Sequence, residues 1–265
     1  MQLHNKKILV TGSSRGIGKA IALQLAQEGA EVVIHYSENM AAADEVLRQV
    51  EAYSGKGHVL QADLRDPAKA VLLGEKAWEI TGGIDFLVNN AGVSYKKHFL
   101  DQTMEDIDYF TNINFKSTLL LTQTIARKMV EQNRPGSIYT ITSINGLQPG
   151  VGLSVYGATK GALETLMKGV ALELAPHNIL VNTIAVGAVE TDMNAAVTQD
   201  AEKLALVNRN IPQGRLGKPE EIAAVVAALL KSGSYMTGSS IKIDGGWLLK
   251  TGFLNPAPYP GKQPS

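Results

Sequence analysis

The chain has no cysteine, which excludes disulfides, thiolate nucleophiles and cysteine-ligated metals. No metal site is expected. The chain also has no excess of either charge, since 25 Lys and Arg residues balance 25 Asp and Glu residues. A balanced chain lacks the electrostatic attraction that draws proteins to nucleic acid or to an anionic membrane. We therefore expect neither kind of partner.

Long hydrophobic runs are absent as well. No segment approaches the roughly 18 consecutive apolar residues of a membrane-spanning helix. Residues 1–10 hold only a short apolar run and no small-residue cleavage site, so they do not resemble a secretory signal. The sequence therefore predicts a soluble, cytoplasmic protein.

The chain is long enough, at 265 residues with 45% hydrophobic residues, for one large α/β domain or two small ones. Short β-branched runs alternate with stretches of helical length and periodicity. Strands are predicted at 7–10, 31–34, 58–60, 84–88, 137–142, 179–185 and 240–243. Helices are predicted at 16–28, 40–53, 67–80, 115–131, 153–174 and 220–230. This alternation predicts a Rossmann-type doubly wound domain with a mostly parallel seven-stranded sheet and helices on both faces.

No linker interrupts the pattern, so a single domain is predicted over residues 1–254. Within it, residues 187–218 carry no strand signal and are too long for a plain connection, which predicts a substrate lid with short helices of its own. The proline-rich tail at 255–265 is expected to be a poorly ordered end, with a partner-contacting arm as the alternative.

A serine, a tyrosine and a lysine form a pattern that indicates proton transfer. Tyr156 and Lys160 lie four residues apart on a predicted helix, so their side chains are neighbours on one face. A neighbouring ammonium favours the phenolate and is expected to lower the pKa of Tyr156, and a general acid or base works best near the working pH. Ser143 follows the preceding strand, and chain direction brings its hydroxyl to the same cleft.

A glycine-rich turn, residues 11–18, follows the first predicted strand and leads into the first helix. Its glycines allow a tight turn and the close approach of a ligand, while the N–H groups at the helix start favour a pyrophosphate. Three residues separate Gly12 from Gly16, which departs from the common G-x-G-x-x-G spacing. The turn predicts a dinucleotide site.

The end of the second strand bears on which dinucleotide is bound. Glu38 is the nearby carboxylate that could accept from the ribose 2′-hydroxyl of NAD. Arg15 and Ser37 could instead receive the 2′-phosphate of NADP. NADP(H) is the preferred prediction, and NAD(H) stays open.

Further motifs occur in a fixed order along the chain. They are Thr11-Gly12-x-x-x-Gly16-x-Gly18, Asp63-Leu64, Asn89-Asn90-Ala91-Gly92, Asn114, Ser143, Tyr156-x-x-x-Lys160 and the run 214–222. With this set the chain resembles, over residues 5–248, the short-chain dehydrogenases/reductases, and within them the 3-oxoacyl-[acyl-carrier-protein] reductase-like group.

The resemblance implies roles for four catalytic residues. Tyr156 would pass a proton to or from the substrate oxygen, and Ser143 would hydrogen-bond that oxygen. Lys160 would lower the pKa of Tyr156 and hold the nicotinamide ribose. Asn114 would hold a water that links Lys160 to solvent.

The resemblance also implies contacts to the cofactor. Asp63 would meet the adenine, residues 90–92 would line the cleft, and Val189 and Thr191 would meet the nicotinamide amide. The complete set of predicted cofactor-binding residues is Gly12, Ser14, Arg15, Gly16, Ile17, Gly18, Ser37, Asp63, Leu64, Asn90, Ala91, Gly92, Tyr156, Lys160, Val189 and Thr191.

The chain departs from the family pattern at one turn. Val186 precedes Gly187 where the family usually has Pro-Gly. Valine restores a backbone N–H and a freer φ, so a turn beside the nicotinamide that is looser or differently aimed is expected.

The predicted function is an NADP(H)-dependent oxidoreductase that interconverts a carbonyl and a secondary alcohol on a small-molecule substrate. A 3-oxoacyl thioester, a sugar or polyol, and a general ketone stay open, as does a non-catalytic dinucleotide-binding sensor. Segments 94–99, 144–152 and 187–214 are expected to shape the substrate pocket, and Arg134 is a candidate for holding a carrier protein. The resemblance also implies a homo-oligomer, most often a tetramer.

Overall fold

Within residues 3–250, which the computed structural model describes, seven strands form one sheet. They are β1 (Lys7–Val10), β2 (Glu31–Tyr36), β3 (Gly57–Gln61), β4 (Phe86–Asn89), β5 (Gly136–Ser143), β6 (Ile179–Val186) and β7 (Ser240–Ile243). The strand order is β3-β2-β1-β4-β5-β6-β7, and every neighbouring pair is parallel. The predicted Rossmann-type sheet is confirmed.

The strand order reverses between β1 and β4. The chain runs outward from β1 to β3, then returns to place β4 on the other side of β1 and continues outward to β7. Loops that leave the carboxyl ends of β1 and β4 therefore diverge, and ligands of open α/β sheets bind in the crevice that this divergence leaves.

Burial on both faces explains why the strands are short apolar runs. In β1, Ile8 and Val10 belong to the core on one side of the sheet, whereas Leu9 belongs to the core on the other side. All three side chains are fully buried. A strand covered on both faces cannot show the alternating pattern of a half-exposed strand.

Helices cover both faces of the sheet. They are α1 (Gly16–Gln27), α2 (Met40–Ser54), α3 (Ala68–Thr81), α4 (Met104–Phe110), α5 (Ser117–Glu131), α6 (Ser154–Leu174), α7 (Ala195–Thr198), α8 (Ala201–Asn210) and α9 (Pro219–Ser232). The apolar faces of α1, α2 and α9 share one core, and those of α3, α5 and α6 share the other.

A π-helix, Thr111–Lys116, joins α4 to α5 without a break. The helix predicted at 115–131 is therefore too short at its start. Thr103 and Asp106 mark the true start with a capping box, in which each side chain binds the backbone N–H of the other. An acidic residue three positions after a threonine was the sequence signal for this boundary.

The segment predicted as a lid contains short helices. A 3-10 turn, Asp192–Asn194, precedes α7 and α8. Within the described chain, the only strand-like feature of the segment 187–218 is an isolated bridge between Val189 and Gly217. Its lid role stays a prediction. The predicted domain end at residue 254 and the tail at 255–265 lie outside the described residues. No helix of the described part of the chain is long and apolar enough to cross a membrane.

The turn after β6 is held by the sheet. Val186 ends β6, where it is paired with Ser143 on one side and Ile243 on the other, and its side chain is buried. The N–H of Gly187 donates to the carbonyl of Ile243 at 2.9 Å. Valine thus keeps position 186 in the strand, and the looser or differently aimed turn expected from the missing proline stays a prediction.

Candidate active site

The carboxyl ends of β1 and β4 are joined by reciprocal hydrogen bonds. The Thr11 hydroxyl accepts from the backbone N–H groups of Asn90 and Ala91, each at 2.9 Å. The Asn90 side-chain amide donates in return to the carbonyls of Thr11, at 2.9 Å, and Gly12, at 3.2 Å. These bonds fix the glycine turn against the loop after β4.

Different physical constraints require glycine at different positions of the turn. Gly12 and Gly16 have φ values of 62° and 54°, in the left-handed region. Gly18 instead lacks room, because a Cβ there would lie 2.3 Å from the carbonyl oxygen of Gly12 and 2.4 Å from the side-chain nitrogen of Asn90. No side chain within the described residues caps α1, so its first N–H groups are available to an anion.

His35 supports the turn from β2, and sequence reasoning missed it. Its Nδ1 accepts from the N–H of Gly12 at 2.9 Å, so the ring is neutral with the proton on Nε2, which lies 3.0 Å from the carbonyl oxygen of Ala62. Burial lowers the pKa of His35 from 6.5 to about 4, although the bond to Ala62 opposes this shift. Ser13, also missed, binds both the N–H and the carbonyl of His35 at 3.0 Å.

Charged residues cluster at the ends of β2 and β3, where the adenosine was predicted to lie. Arg65 binds both carboxylate oxygens of Asp63, with its Nε at 2.9 and 2.8 Å, and its Nη2 lies 3.0 Å from Glu38. The hydrogen bonds from Arg65 lower the pKa of Asp63. Ser37 lies beside this cluster, and its carbonyl accepts from the side chain of Gln61. Arg65 was not among the predicted residues.

Arg15 faces the segment predicted as a lid. Its Nη1 lies 3.6 Å from a carboxylate oxygen of Asp192, and both side chains are about three-quarters exposed. Thr191 lies beside the same turn, since a Cβ on Gly16 would be 3.5 Å from its Cγ2. Val189 is buried. Thr191 and Arg15 thus share one wall of the cleft, but Arg15 is not joined to Ser37 or Glu38.

The remaining predicted cofactor residues have simpler surroundings. Leu64 is buried in the core, and its carbonyl accepts from Ser117 at 2.9 Å. Ile17 packs against the core on the other side of the sheet. Ser14 is half-buried in the glycine turn.

Asn114 lies in the π-helix and is fully buried. Its side-chain oxygen accepts from the N–H of Val93 at 2.8 Å, and its amide donates to the carbonyl of Val93 at 3.0 Å and to the Thr159 hydroxyl at 3.2 Å. A Cβ on Gly92 would lie 3.2 Å from Asn114 Oδ1 and 3.3 Å from Lys160 Nζ, so Gly92 allows the amide and the ammonium to approach one another. The water-holding role of Asn114 stays a prediction.

Ser143 and Tyr156 share a hydrogen bond at the end of β5, and Lys160 lies one turn after Tyr156 on α6. Ser143 is the last residue of β5 and its hydroxyl accepts from the N–H of Asn145 at 3.1 Å. Tyr156 is half-buried near the start of α6. Lys160 is 5% exposed, and its ammonium donates to the carbonyl of Ile141 at 3.0 Å.

The pKa values of this group differ from the expectation. Burial raises the pKa of Tyr156, and a hydrogen bond with Ser143 opposes part of the rise. Burial also lowers the pKa of Lys160 to about 8, although the charge of Glu164 opposes it. The expected lowering of the Tyr156 pKa is wrong for this structure, because desolvation is the largest cause of its shift and the Lys160 ammonium is directed at Ile141.

Arg134 lies far from this group of residues along the strand direction. It precedes β5 and pairs with Asp85, which precedes β4, at 3.1 Å. Both residues are therefore at the amino ends of the strands, opposite the cleft. Arg134 therefore does not flank the cleft.

The sequence matches known proteins over nearly its full length. The profile of a family described as "Enoyl-(Acyl carrier protein) reductase" matches residues 12–248. An L-rhamnose 1-dehydrogenase (NADP(+)) of Thermoplasma acidophilum is 36% identical over 250 residues, which are 94% of this chain and 98% of that protein. The 3-oxoacyl-[acyl-carrier-protein] reductase FabG of Aquifex aeolicus is 39% identical over 250 residues, 93% of this chain and 98% of that protein.

The fold is also similar to solved structures. A short chain dehydrogenase from Burkholderia cenocepacia, crystallised in complex with NADP, superposes with a TM-score of 0.87. It is 36% identical, and the match covers 94% of this chain and 100% of that one.

Gly18→Ala is expected to weaken the binding of NADPH, the predicted dinucleotide, by at least about tenfold, or about 1.4 kcal/mol. The added methyl group would overlap the carbonyl of Gly12 and displace the turn. Isothermal titration calorimetry measures the dissociation constant. Gly169→Ala is the matched control, because no atom lies within 4 Å of the added Cβ on that helical glycine. Equal affinities of Gly18→Ala and the parent would contradict the assigned role.

Lowering the pH from 7 to 4 is expected to remove about 3 kcal/mol of stability through His35. The folded-state pKa of about 4 lies below the ordinary value of 6.5. The unfolded chain therefore binds the proton first, and the contribution, complete above pH 6.5, declines as the pH falls towards 4. Urea unfolding at several pH values checks this. The pH dependence should flatten in His35→Gln but not in His177→Gln, which changes an exposed histidine.

Proposed function

The chain belongs to the short-chain dehydrogenase/reductase family, and we propose that it is an NADP(H)-dependent oxidoreductase that interconverts a carbonyl group and a secondary alcohol. The observation that carries this proposal is the hydrogen bond between Ser143 and Tyr156 at the carboxyl end of β5, with the Lys160 ammonium bound to Ile141 of the same strand. They lie next to the crevice at which the strand order reverses.

The residues of the crevice fit a dinucleotide. The pyrophosphate would lie at the start of α1, where the tight Gly12–Gly18 contact leaves the backbone open to a ligand. Residues 90–92 would line the cleft, Asp63 would meet the adenine, and Val189 and Thr191 would meet the nicotinamide amide. When bound, the nicotinamide supplies or accepts the hydride.

Tyr156 is the proposed acid in reduction. Its raised pKa keeps the phenol protonated at neutral pH, so it can donate its proton as the carbonyl oxygen gains charge. Ser143 would donate a hydrogen bond to the same oxygen. Lys160, with a pKa of about 8, is mostly charged at pH 7, and its charge would stabilise the phenolate left behind. In oxidation the same proton moves in reverse.

Two observations support NADP(H) over NAD(H). The Thermoplasma relative is named as using NADP(+), and the Burkholderia structure contains NADP. In this chain, Glu38 could reject a 2′-phosphate by like charge, but the guanidinium of Arg65 lies against it at 3.0 Å. With Glu38 covered, Ser37 would receive the phosphate together with Arg15, which would exchange its exposed ion pair with Asp192 for the phosphate.

The substrate pocket would be bounded by apolar side chains. Phe99, Leu147, Val151 and Met193 are all exposed and belong to the segments predicted to shape the pocket. Such a boundary suits a ketone or 3-oxoacyl thioester with an alkyl chain better than a polyol, which needs many hydrogen-bonding partners.

A homo-oligomer, a tetramer by resemblance to the family, is proposed as the assembly. An apolar groove of about 430 Å³ runs between α5 and α6. Leu119, Val130, Leu166, Val170 and Leu174 are among the residues that line it. A second copy of this helix pair would cover them.

Tyr156→Phe is expected to lower kcat/KM by on the order of 10³-fold while the dissociation constant for NADPH changes little, because only proton transfer is lost. NADPH consumption over a panel of ketones, 3-oxoacyl thioesters and sugars measures this. Tyr139→Phe is the matched control, since that hydroxyl faces the carbonyl of Leu229 at 3.5 Å in another layer. Retained turnover in Tyr156→Phe would refute the assignment. A parent protein that binds NADPH but consumes none of it would instead be a sensor.

Arg65→Gln is expected to raise the KM for NADPH by about three- to tenfold and to leave the KM for NADH nearly unchanged, because the uncovered Glu38 repels the 2′-phosphate. Steady-state kinetics with both cofactors checks this. Adding Glu38→Gln should recover NADPH binding if Arg65 acts by covering that carboxylate. A ratio of the two KM values that is unaffected by Arg65→Gln would contradict this account.

A further inference from the structure

Glu164 is a buried carboxylate that the proposed mechanism does not use. It lies on α6, one turn after Lys160, and is 4% exposed. Burying a carboxylate costs free energy unless hydrogen bonds and an opposite charge compensate it. The burial of Glu164 therefore requires compensating interactions.

Two threonines from neighbouring strands bind the carboxylate of Glu164. The Thr142 hydroxyl of β5 donates to Oε1, and the Thr183 hydroxyl of β6 donates to Oε2 at 2.7 Å. Both oxygens accept, which suits an ionised carboxylate, since a protonated one would carry a donor on one oxygen. The hydroxyls thus hold a negative charge at a fixed place beneath α6.

The charge of the Glu164 carboxylate acts on Lys160. The elements packed on α6 contribute threonine hydroxyls from β5 and β6 and the neutral amide of Asn114 from the π-helix. On α6 itself, Tyr156 lies one turn before Lys160, and the exposed Lys168 lies one turn after Glu164. Among the described residues, Glu164 is the one whose charge acts on Lys160, and it raises the pKa that burial lowers.

We propose that Glu164 is a positioning residue for proton transfer, whose buried carboxylate is the counter-charge that keeps the Lys160 ammonium protonated. The proposal rests on the proposed function, because Lys160 acts in that reaction. Glu164 touches neither substrate nor cofactor and acts only through Lys160.

Removing the charge of Glu164 is expected to lower the pKa of Lys160. Without Glu164, only burial acts on Lys160, so its pKa falls further below about 8 and the amine loses its proton at lower pH. The reaction needs the charged amine, and therefore the alkaline limb of activity moves to lower pH.

Glu164→Gln tests the proposal, because it removes the charge and keeps the shape of the side chain. In the pH profile of kcat for NADPH-dependent reduction, the fall at alkaline pH is expected to lie about one pH unit lower than in the parent. KM for the carbonyl is expected to change little. Thr183→Val is the matched control: it removes one hydrogen bond to the carboxylate but keeps the charge, so its limb should stay close to that of the parent. Glu164→Asp retains the charge on a shorter side chain, so its limb should lie between those of Glu164→Gln and the parent.

A second measurement does not depend on turnover. The ¹³C resonance of the Lys160 ε-carbon in the full chain reports its protonation directly, and it should titrate near pH 8 in the parent and lower in Glu164→Gln. If Glu164→Gln does not fold, Glu164→Asp should show an intermediate shift in both measurements. Unchanged titration of Lys160 in the folded variants would overturn the proposal. A parent without turnover would count against the proposed function alone, since the titration still decides the role of Glu164.

Discussion

Two strands that are distant in the chain, β1 and β4, end side by side, and Thr11 joins their ends. Its hydroxyl takes two backbone N–H groups of the loop after β4, and Asn90 returns its amide to the carbonyls of Thr11 and Gly12. The loops can diverge here without leaving buried backbone groups unpaired. Gly18 fits against this junction, and the same loop carries Gly92 to the Lys160 ammonium. The glycine turn and Lys160 therefore share one support.

Around this support the interior is more polar than a Rossmann core needs to be. His35, Lys160 and Glu164 are all nearly inaccessible, yet each has a hydrogen-bonding partner on a different element. Such groups add little net stability, because desolvation offsets much of what their bonds contribute. They do fix geometry, since a buried polar group has few alternative partners. These bonds therefore define the positions of three buried polar side chains around the site.

Periodicity predicted all seven strands, because each is a short apolar run buried on both faces. It missed the helix Met104–Phe110, whose residues are mostly exposed and show no apolar stripe. Spacing and resemblance together identified Tyr156 and Lys160, but spacing carries no information on desolvation, so the pKa direction was wrong. Glu164 and His35 escaped notice because their partners lie 19 and 27 residues away, and only the folded sheet reveals them.

At the π-helix Thr111–Lys116, the geometry of the helix depends on how many residues it contains. Each residue of an α-helix advances about 100° around the axis, and a π turn accommodates one residue more than an α turn does. The helical segments on its two sides are therefore out of phase by that residue, which lets Phe110 pack near Tyr156 while Asn114 points to Val93. Deleting one residue here would give a regular helix and rotate one segment relative to the other. The shape of this cleft wall thus depends on how many residues the helix contains as well as on which residues they are.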